Sequence, residues 1–489
     1  MAVPASLRRW LGVAIVALYL LLATLYALRT PLWQAPDEPA HYNYARHIAE
    51  TARLPILEPG DYPAAYLEEC KAARFAPEFS IDAIQYESHQ PPFYYALASL
   101  IYRAASGQPL GVRLRAMRLL SVLLGAATIA LIYACACELL PTRPWLAAAV
   151  GLVCATLPMH LTMTSAVNSD ALAELLIVLI GYLVLRRPAD GKLGYCLLLG
   201  LLLGLALLTK MQTYTAWAFC AVALIHDARD RERPWIWLLR SGGTVLAVAI
   251  LVAAPWVGRN MQVYGWRDPL AMVRHDQVVQ GQLTTSAFLA QFGLADLLRG
   301  LLQTSFQSFW GQFGWMAVPM HPRIYQLLAG VCGLSLAGAL VWLWRGGWRN
   351  LWNESRRETL ILLSWVVITT AGYLWWNLSF VQHQGRYLFP ALLPIAMGLI
   401  LGLGQAAQNR RPIFAMLAVA AGLLLVLGLV RGDLPGFSIA LVLATAGGLI
   451  AARWQSQRRP ELLLALSGAG MTAFAAYCLW GYIVPFLTP

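Results

Sequence analysis

The sequence predicts an all-α polytopic membrane protein, and three observations predict it. Of its 489 residues, 59% are hydrophobic and only 12% are charged, giving a mean hydropathy of +0.58. Apolar runs of roughly 17–25 residues, the length a helix needs to cross a bilayer, recur from end to end. The basic residues behind the formal charge of +12 are scattered between those runs rather than gathered in one patch. They read as determinants of membrane topology and not as a surface for nucleic acid.

Taken in order, spans are expected at 11–29, 116–138, 145–165, 170–185, 193–209, 212–226, 236–257, 323–344, 359–378, 387–405, 412–430, 435–452 and 461–486. That is about thirteen, with a cytoplasmic N-terminus and a C-terminus outside. Arg8 and Arg9 precede the first run and no small-residue cleavage site follows, so it is expected to stay as a signal anchor. The loops assigned to the cytoplasm hold Arg143, then Arg186, Arg187 and Lys192, then Arg229, Arg231 and Arg233. Further along they hold Arg345, Arg349, Arg356 and Arg357, then Arg410 and Arg411, then Arg453, Arg458 and Arg459. Every one is basic, as the positive-inside rule requires. The alternation holds only if Pro91–Ala105, short and rich in tyrosine, lies at the interface instead of crossing.

Seven of the eight cysteines fall in apolar spans and only Cys70 lies in a loop, which excludes a disulfide framework and Cys-based zinc spacing. Two outer loops are long, 30–115 and 258–322, and loops of that length are usually functional. Residues 1–405, with both loops, read as one functional core. Residues 406–489 carry almost no polar side chains within their spans and read as structural C-terminal helices.

The stretch from Trp33 to His47 follows directly on the first span and holds two adjacent acids, Asp37 and Glu38, between Pro36 and Pro39. From His41 onward, Tyr42, Ala45, Ile48 and Ala49 recur at helical spacing. This predicts an amphipathic helix lying on the bilayer, with Asn43, Arg46, His47 and Glu50 on its polar face. The acids then serve either as chemistry or as a negative start to that helix.

Charged side chains at the outer ends of spans break the charge rule and are read as functional. The acids are Asp37, Glu38 and Asp170; the bases are Arg103, Arg113, Arg115, Lys210, Arg259 and Arg386. Polar partners are His89, Gln90, Asn168, His383 and Gln384. Asp170 follows Asn168 and Ser169 at the start of a span, where a helix cap is the alternative. Lys210 ends an apolar run, where snorkelling to headgroups is the alternative. Arg386, beside Gly385, suits phosphate, because a guanidinium matches phosphate geometry. The aromatic stretch Phe309–Pro319 suits either the interface or stacking on a sugar. Glu87 and His89 lack a third metal ligand at defined spacing. There is no Gly-rich phosphate loop, nucleophile elbow or His-Glu-x-x-His motif, which argues against a cytosolic nucleotide-driven pump.

These motifs together carry a resemblance. The Asp37-Glu38 pair after the first span, the acid at Asp170, and the signatures Pro36–His41, His89–Pro92, Phe309–Trp315 and Gln384–Tyr387 resemble the GT-C superfamily of membrane glycosyltransferases. Within it the chain is similar to protein O-mannosyltransferases, to lipid A aminoarabinose transferases and to a related group of bacterial membrane proteins. The resemblance covers roughly residues 10–400 and implies a GT-C fold. It also implies a polyprenyl-phosphate sugar donor, and a glycan, lipid or protein acceptor. The site would face the outside of a bacterial cell membrane, with membrane lipids and not nucleic acid as its surroundings. By this resemblance Asp37 is the catalytic base, and Glu38 orients it or raises its pKa through like charge. Asp170 matches the second outer-loop acid. Gln90 and His89 stand where the aminoarabinose transferases have a phosphate-binding Lys and a Glu, which leaves the lipid phosphate to Lys210, Arg386 or Arg259. His383, Gln384 and Tyr387 complete the expected substrate-binding set. No metal ligand is assigned, and a divalent ion is left open. The rivals are a transporter or flippase of a lipid-linked glycan, for which Glu174 within a span is the main candidate, and an assembly scaffold.

Overall fold

The structure, a computed structural model, describes residues 5–186, 192–431 and 435–489. Arg187 and residues 432–434 of the last expected outer connection lie outside them. Each expected apolar segment is helical, from Ala5–Arg29 at the start to Pro460–Cys478 near the end. The protein is a multi-pass membrane protein. Among the described residues eight helices are long and apolar enough to cross a membrane. The expected 145–165 span is two helices, Pro144–Thr156 and Pro158–Thr164, bent by 60°. Pro158 has no N–H to continue the ladder and holds Leu157 out of helical geometry, which sets the break there. Leu193–Leu207 and Gly436–Ala451 are shorter apolar helices, so the chain does not divide into thirteen equal crossings.

Without a hydrophobic drive between helices in lipid, small residues let backbones close up. Pro322–Trp342 and Leu392–Gln408 do this at Gly338, where an added methyl would strike the Gly402 carbonyl. The first helix is tied to the C-terminal one by Tyr26, whose hydroxyl donates to the Ala475 carbonyl at 2.7 Å.

The two long loops pack on one another: the Leu57 N–H donates to the Tyr264 hydroxyl and Trp315 Nε1 to the Trp33 carbonyl, both at 2.9 Å. Phe93–Ala104 is too short to cross and buries Tyr94, Tyr95 and Tyr102, in keeping with the expected non-crossing segment. The helix Glu38–Thr51 departs from expectation. Its first half is buried in protein rather than laid on a bilayer. Asn43, assigned to the polar face, is 3% exposed and donates to the carbonyls of Ile81 and Ile84 at 2.6 and 2.9 Å. The second loop also holds a helix that hydropathy alone does not reveal, Thr285–Trp310, broken at Gly293. Asp296, Arg299 and several glutamines dilute its apolar content.

Candidate functional site

The site starts where the first helix ends. Its last carbonyls need partners, and Arg118, from the Leu110–Leu139 helix, supplies them. Nη1 donates to the carbonyls of Ala27 and Thr30 at 3.1 and 2.7 Å, and Nη2 to that of Pro31 at 3.0 Å. The same guanidinium grips Glu38 with both arms, Nε to Oε1 at 2.7 Å and Nη2 to Oε2 at 2.6 Å. Backbone N–H groups of Val167 and Trp33 add 3.1 and 3.2 Å bonds to the same carboxylate. Both side chains are completely buried.

That anchor leaves Asp37 in a left-handed backbone conformation, φ +67°, as is Trp33 at φ +66°. Non-glycine residues adopt it only where surroundings over-determine it. The surroundings include the aromatic stretch of the second loop. Trp315 Nε1 donates to the Trp33 carbonyl at 2.9 Å, while Trp310 and Phe313 are buried. The stretch therefore packs beneath the Asp37 turn, and two of its rings have no face free for a sugar.

The Asp37 carboxylate points away from Glu38 and keeps 26% exposure. Its Oδ1 accepts the Tyr86 hydroxyl at 2.8 Å and its Oδ2 accepts Arg386 Nη2 at 2.8 Å. Burial works to raise this carboxyl, but the charges of Arg386 and His41 and the two hydrogen bonds outweigh it and hold Asp37 below the usual carboxylate range. This corrects the expectation that Glu38 raises it, because the Glu38 charge is already matched by Arg118.

Arg386 is held by the segment around it. Nε donates to Gln384 Oε1 at 2.7 Å, Nη1 faces Met163 Sδ at 3.7 Å, and the guanidinium lies 5.3 Å from the Tyr387 ring centre. Gly385 seats the segment on Thr285–Trp310. Its N–H donates to Ser308 Oγ at 2.7 Å, and an added methyl would strike the Ser305 carbonyl and the Phe309 backbone. Gly385→Ala is therefore expected to cost about 1–3 kcal/mol by overpacking and to move Arg386. A lowered melting temperature in thermal unfolding of the purified protein checks this.

A second pair stands nearby. Lys210 Nζ donates to Asp170 Oδ1 at 2.5 Å, with 14% and 11% side-chain exposure. Lys210 does not snorkel, and Asp170 does not cap its helix. Asn168 Oδ1 instead accepts the Asp170 N–H at 2.9 Å. Arg386 lies within electrostatic reach of both Asp37 and Asp170, and Tyr387 within reach of Asp37, Asp170 and Lys210.

Other expected residues are engaged elsewhere. Arg259 donates to the Pro55 and Leu54 carbonyls at 2.5 and 3.4 Å and lies over the Tyr264 ring, so it clasps the first loop. His383 packs beside Gly300. His89 Nδ1 bonds the Tyr86 carbonyl at 3.0 Å, and its ring lies 4.6 Å from that of His275. Burial, then the neighbouring His275, push its pKa down to about 3, so it is a neutral imidazole at physiological pH. Gln90 accepts the Tyr44 hydroxyl on its carbonyl at 2.9 Å. Among the described residues no three His, Cys, Asp or Glu side chains converge as a metal site.

Sequence reasoning missed Arg118, Tyr86, and the pair His41–Tyr95, joined at 2.7 Å. Arg118 did carry a signal, an arginine inside an apolar span. Tyr86 and Tyr95 carried none beyond membership of a tyrosine-rich loop.

The family model described as "Predicted membrane protein (DUF2142)" matches residues 72–395, well over half of the chain. No curated protein matches. Among solved structures the chain is similar to ArnT from Cupriavidus metallidurans in the apo state, with TM-score 0.56 and 16% identity over 97% of this chain and 77% of that one. It is similar to the same protein bound to undecaprenyl phosphate, with TM-score 0.55 and 16% identity over 96% and 76%. These likenesses give the fold, which is the GT-C fold.

Proposed function

Since the chain belongs to the DUF2142 family of membrane proteins and has the GT-C fold, we propose that it is an integral-membrane inverting glycosyltransferase. It moves a sugar from a polyprenyl-phosphate donor to a hydroxyl of a glycan, lipid or protein acceptor, at the extracytoplasmic face of a bacterial cell membrane. The observation that carries this reading is the Asp37 turn: a carboxylate with 26% exposure, braced from behind by Glu38–Arg118 and paired with the buried Arg386, with a second cation, Lys210, within electrostatic reach of Arg386. The undecaprenyl phosphate bound to ArnT supports the choice of donor class.

In this mechanism Asp37 takes the proton of the acceptor hydroxyl as its oxygen attacks the anomeric carbon. The bond from that carbon to the phosphate oxygen breaks, and free polyprenyl phosphate leaves with the electron pair. Arg386 and Lys210 receive its charge. One displacement inverts the sugar, and a phosphate leaving group needs no general acid. Glu38 positions Asp37 and does not touch the reacting atoms. The test is release of undecaprenyl phosphate from undecaprenyl-phosphate sugars by the purified protein. Equal release by wild type and Asp37→Asn overturns the reading.

The pH profile gives a second check. The base form of a carboxyl held low persists as pH falls, so the acid limb of kcat/KM is expected below the ordinary carboxylate value of 3.8. Arg386→Gln removes the largest lowering charge and leaves the burial, so the limb should move up in pH. A limb that stays put argues that Asp37 is not the titrating base.

One observation favours transport. Glu174 Oε2, within its helix, lies 2.8 Å from His160 Nε2 on the segment after the 60° bend, and both are buried. A carrier built on that pair would lose flux of lipid-linked glycan in Glu174→Gln while Asp37→Asn kept it. An enzyme should show the reverse order.

A further inference from the structure

Glu87 and Gln90 lie three residues apart on the 3-10 turn Tyr86–His89 and its exit, and residues so spaced on a 3-10 helix eclipse one another. They share one face, while Tyr86 and His89 share another that carries the hydroxyl bonded to Asp37. Glu87 Oε2 and Gln90 Oε1 are both shut off from solvent and accept no hydrogen bond. A third such atom is Nδ2 of Asn168, a residue 1% exposed. The three belong to one neighbourhood. Asn168 N–H donates to the Tyr94 hydroxyl at 3.0 Å, and its near neighbour Asp170 holds Lys210. Glu87 acts electrostatically on Lys210, His41 and Tyr95 alike.

Buried polar atoms in native proteins are nearly always partnered, and leaving one unpaired is costly. Three around one site therefore point to a ligand. Their chemistry says which part of it. The acids Asp37, Glu38 and Asp170 each carry a cation, whereas Glu87 leaves an oxygen open. A carboxylate oxygen and an amide oxygen call for hydrogen-bond donors, and a lipid phosphate diester offers none. Hydroxyls on a sugar ring offer several, together with oxygens that accept from an amide.

We infer that the Glu87–Gln90 face holds the sugar ring of the donor through its hydroxyls, with Asn168 Nδ2 donating to a ring or hydroxyl oxygen. Gln90 then reads the sugar and does not hold phosphate, which lies toward Lys210 and Arg386. The inference rests on the donor class proposed above and adds specificity-determining residues to it.

The test uses the full chain in nanodiscs with two kinds of probe, bare undecaprenyl phosphate and undecaprenyl phosphate loaded with glucose, galactose or mannose. Wild type should bind one loaded lipid about tenfold more tightly than the bare one, the worth of a hydrogen bond to a charged group. Glu87→Gln and Gln90→Leu should each remove most of that difference; bare-lipid affinity should be unchanged in Gln90→Leu and hold or rise in Glu87→Gln, which takes a negative charge out of the field of Lys210. Retained bare-lipid binding also shows that the variants are folded. A loss on both probes together, a loss on neither, or a wild type that binds loaded and bare lipid equally overturns the inference. A wild type that binds no undecaprenyl phosphate at all overturns the donor class itself, and is recognised in the first arm.

Discussion

Asp37→Asn is expected to lower sugar transfer by roughly 10²–10⁴-fold, the usual contribution of a positioned general base, while undecaprenyl phosphate still binds. Asparagine has the shape of aspartate and can still accept the Tyr86 hydroxyl, which donates to Asp37 at 2.8 Å. What it loses is the capacity to take a proton and the charge facing Arg386. The freed guanidinium then faces the lipid phosphate without a competing carboxylate, so bare-lipid affinity should hold or rise. The two readouts move in opposite senses, and a general loss of folding would lower both. Transfer within a few fold of wild type would remove Asp37 from the chemistry. Loss of lipid binding together with transfer would make the Asp37–Arg386 pair a structural brace.

The membrane class was legible because hydropathy is a property of composition, and a span must be apolar whatever it packs against. Asp37, Asp170, Lys210 and Arg386 stood out for the same reason, as charges at span ends where the topology rule expects none. The structure brings these four together in two pairs. Contacts across long separations were not legible. Glu38 and Arg118 lie 80 residues apart, and nothing local to either marks the other as its partner. Arg259 has the same type and placement as Arg386. What separates them is that Arg259 reaches backbone carbonyls at Leu54 and Pro55, and a carbonyl looks the same at every residue of a sequence. The buried half of Glu38–Thr51 was misread because its tyrosines and Asn43 pattern alike whether they meet lipid or protein.

The largest effect on stability is expected at Arg118. Its guanidinium makes five hydrogen bonds from a site with no solvent exposure. Removing one partner of a buried ion pair strands the other charge and costs about 3–5 kcal/mol. Arg118→Met does that to Glu38, and also strips the carbonyls of Ala27, Thr30 and Pro31. Glu38→Gln strands the guanidinium but leaves those three carbonyls bonded, so it should be the milder change. Arg118→Lys should not rescue, because an ammonium cannot reproduce a planar fork that serves two carboxylate oxygens and three carbonyls. An isolated buried pair can often be replaced by apolar residues at little cost, but here the double variant Glu38→Leu/Arg118→Met would leave the Trp33 and Val167 N–H groups and the same three carbonyls unpaired. It should therefore remain well below wild type. Thermal unfolding of the four variants in detergent measures this order. If the double variant returned to wild-type stability and the Asp37 chemistry survived, the pair would be dispensable to the turn. If it stayed low while Glu38→Gln kept partial transfer, the network beneath Asp37 would be what holds the base in its left-handed conformation.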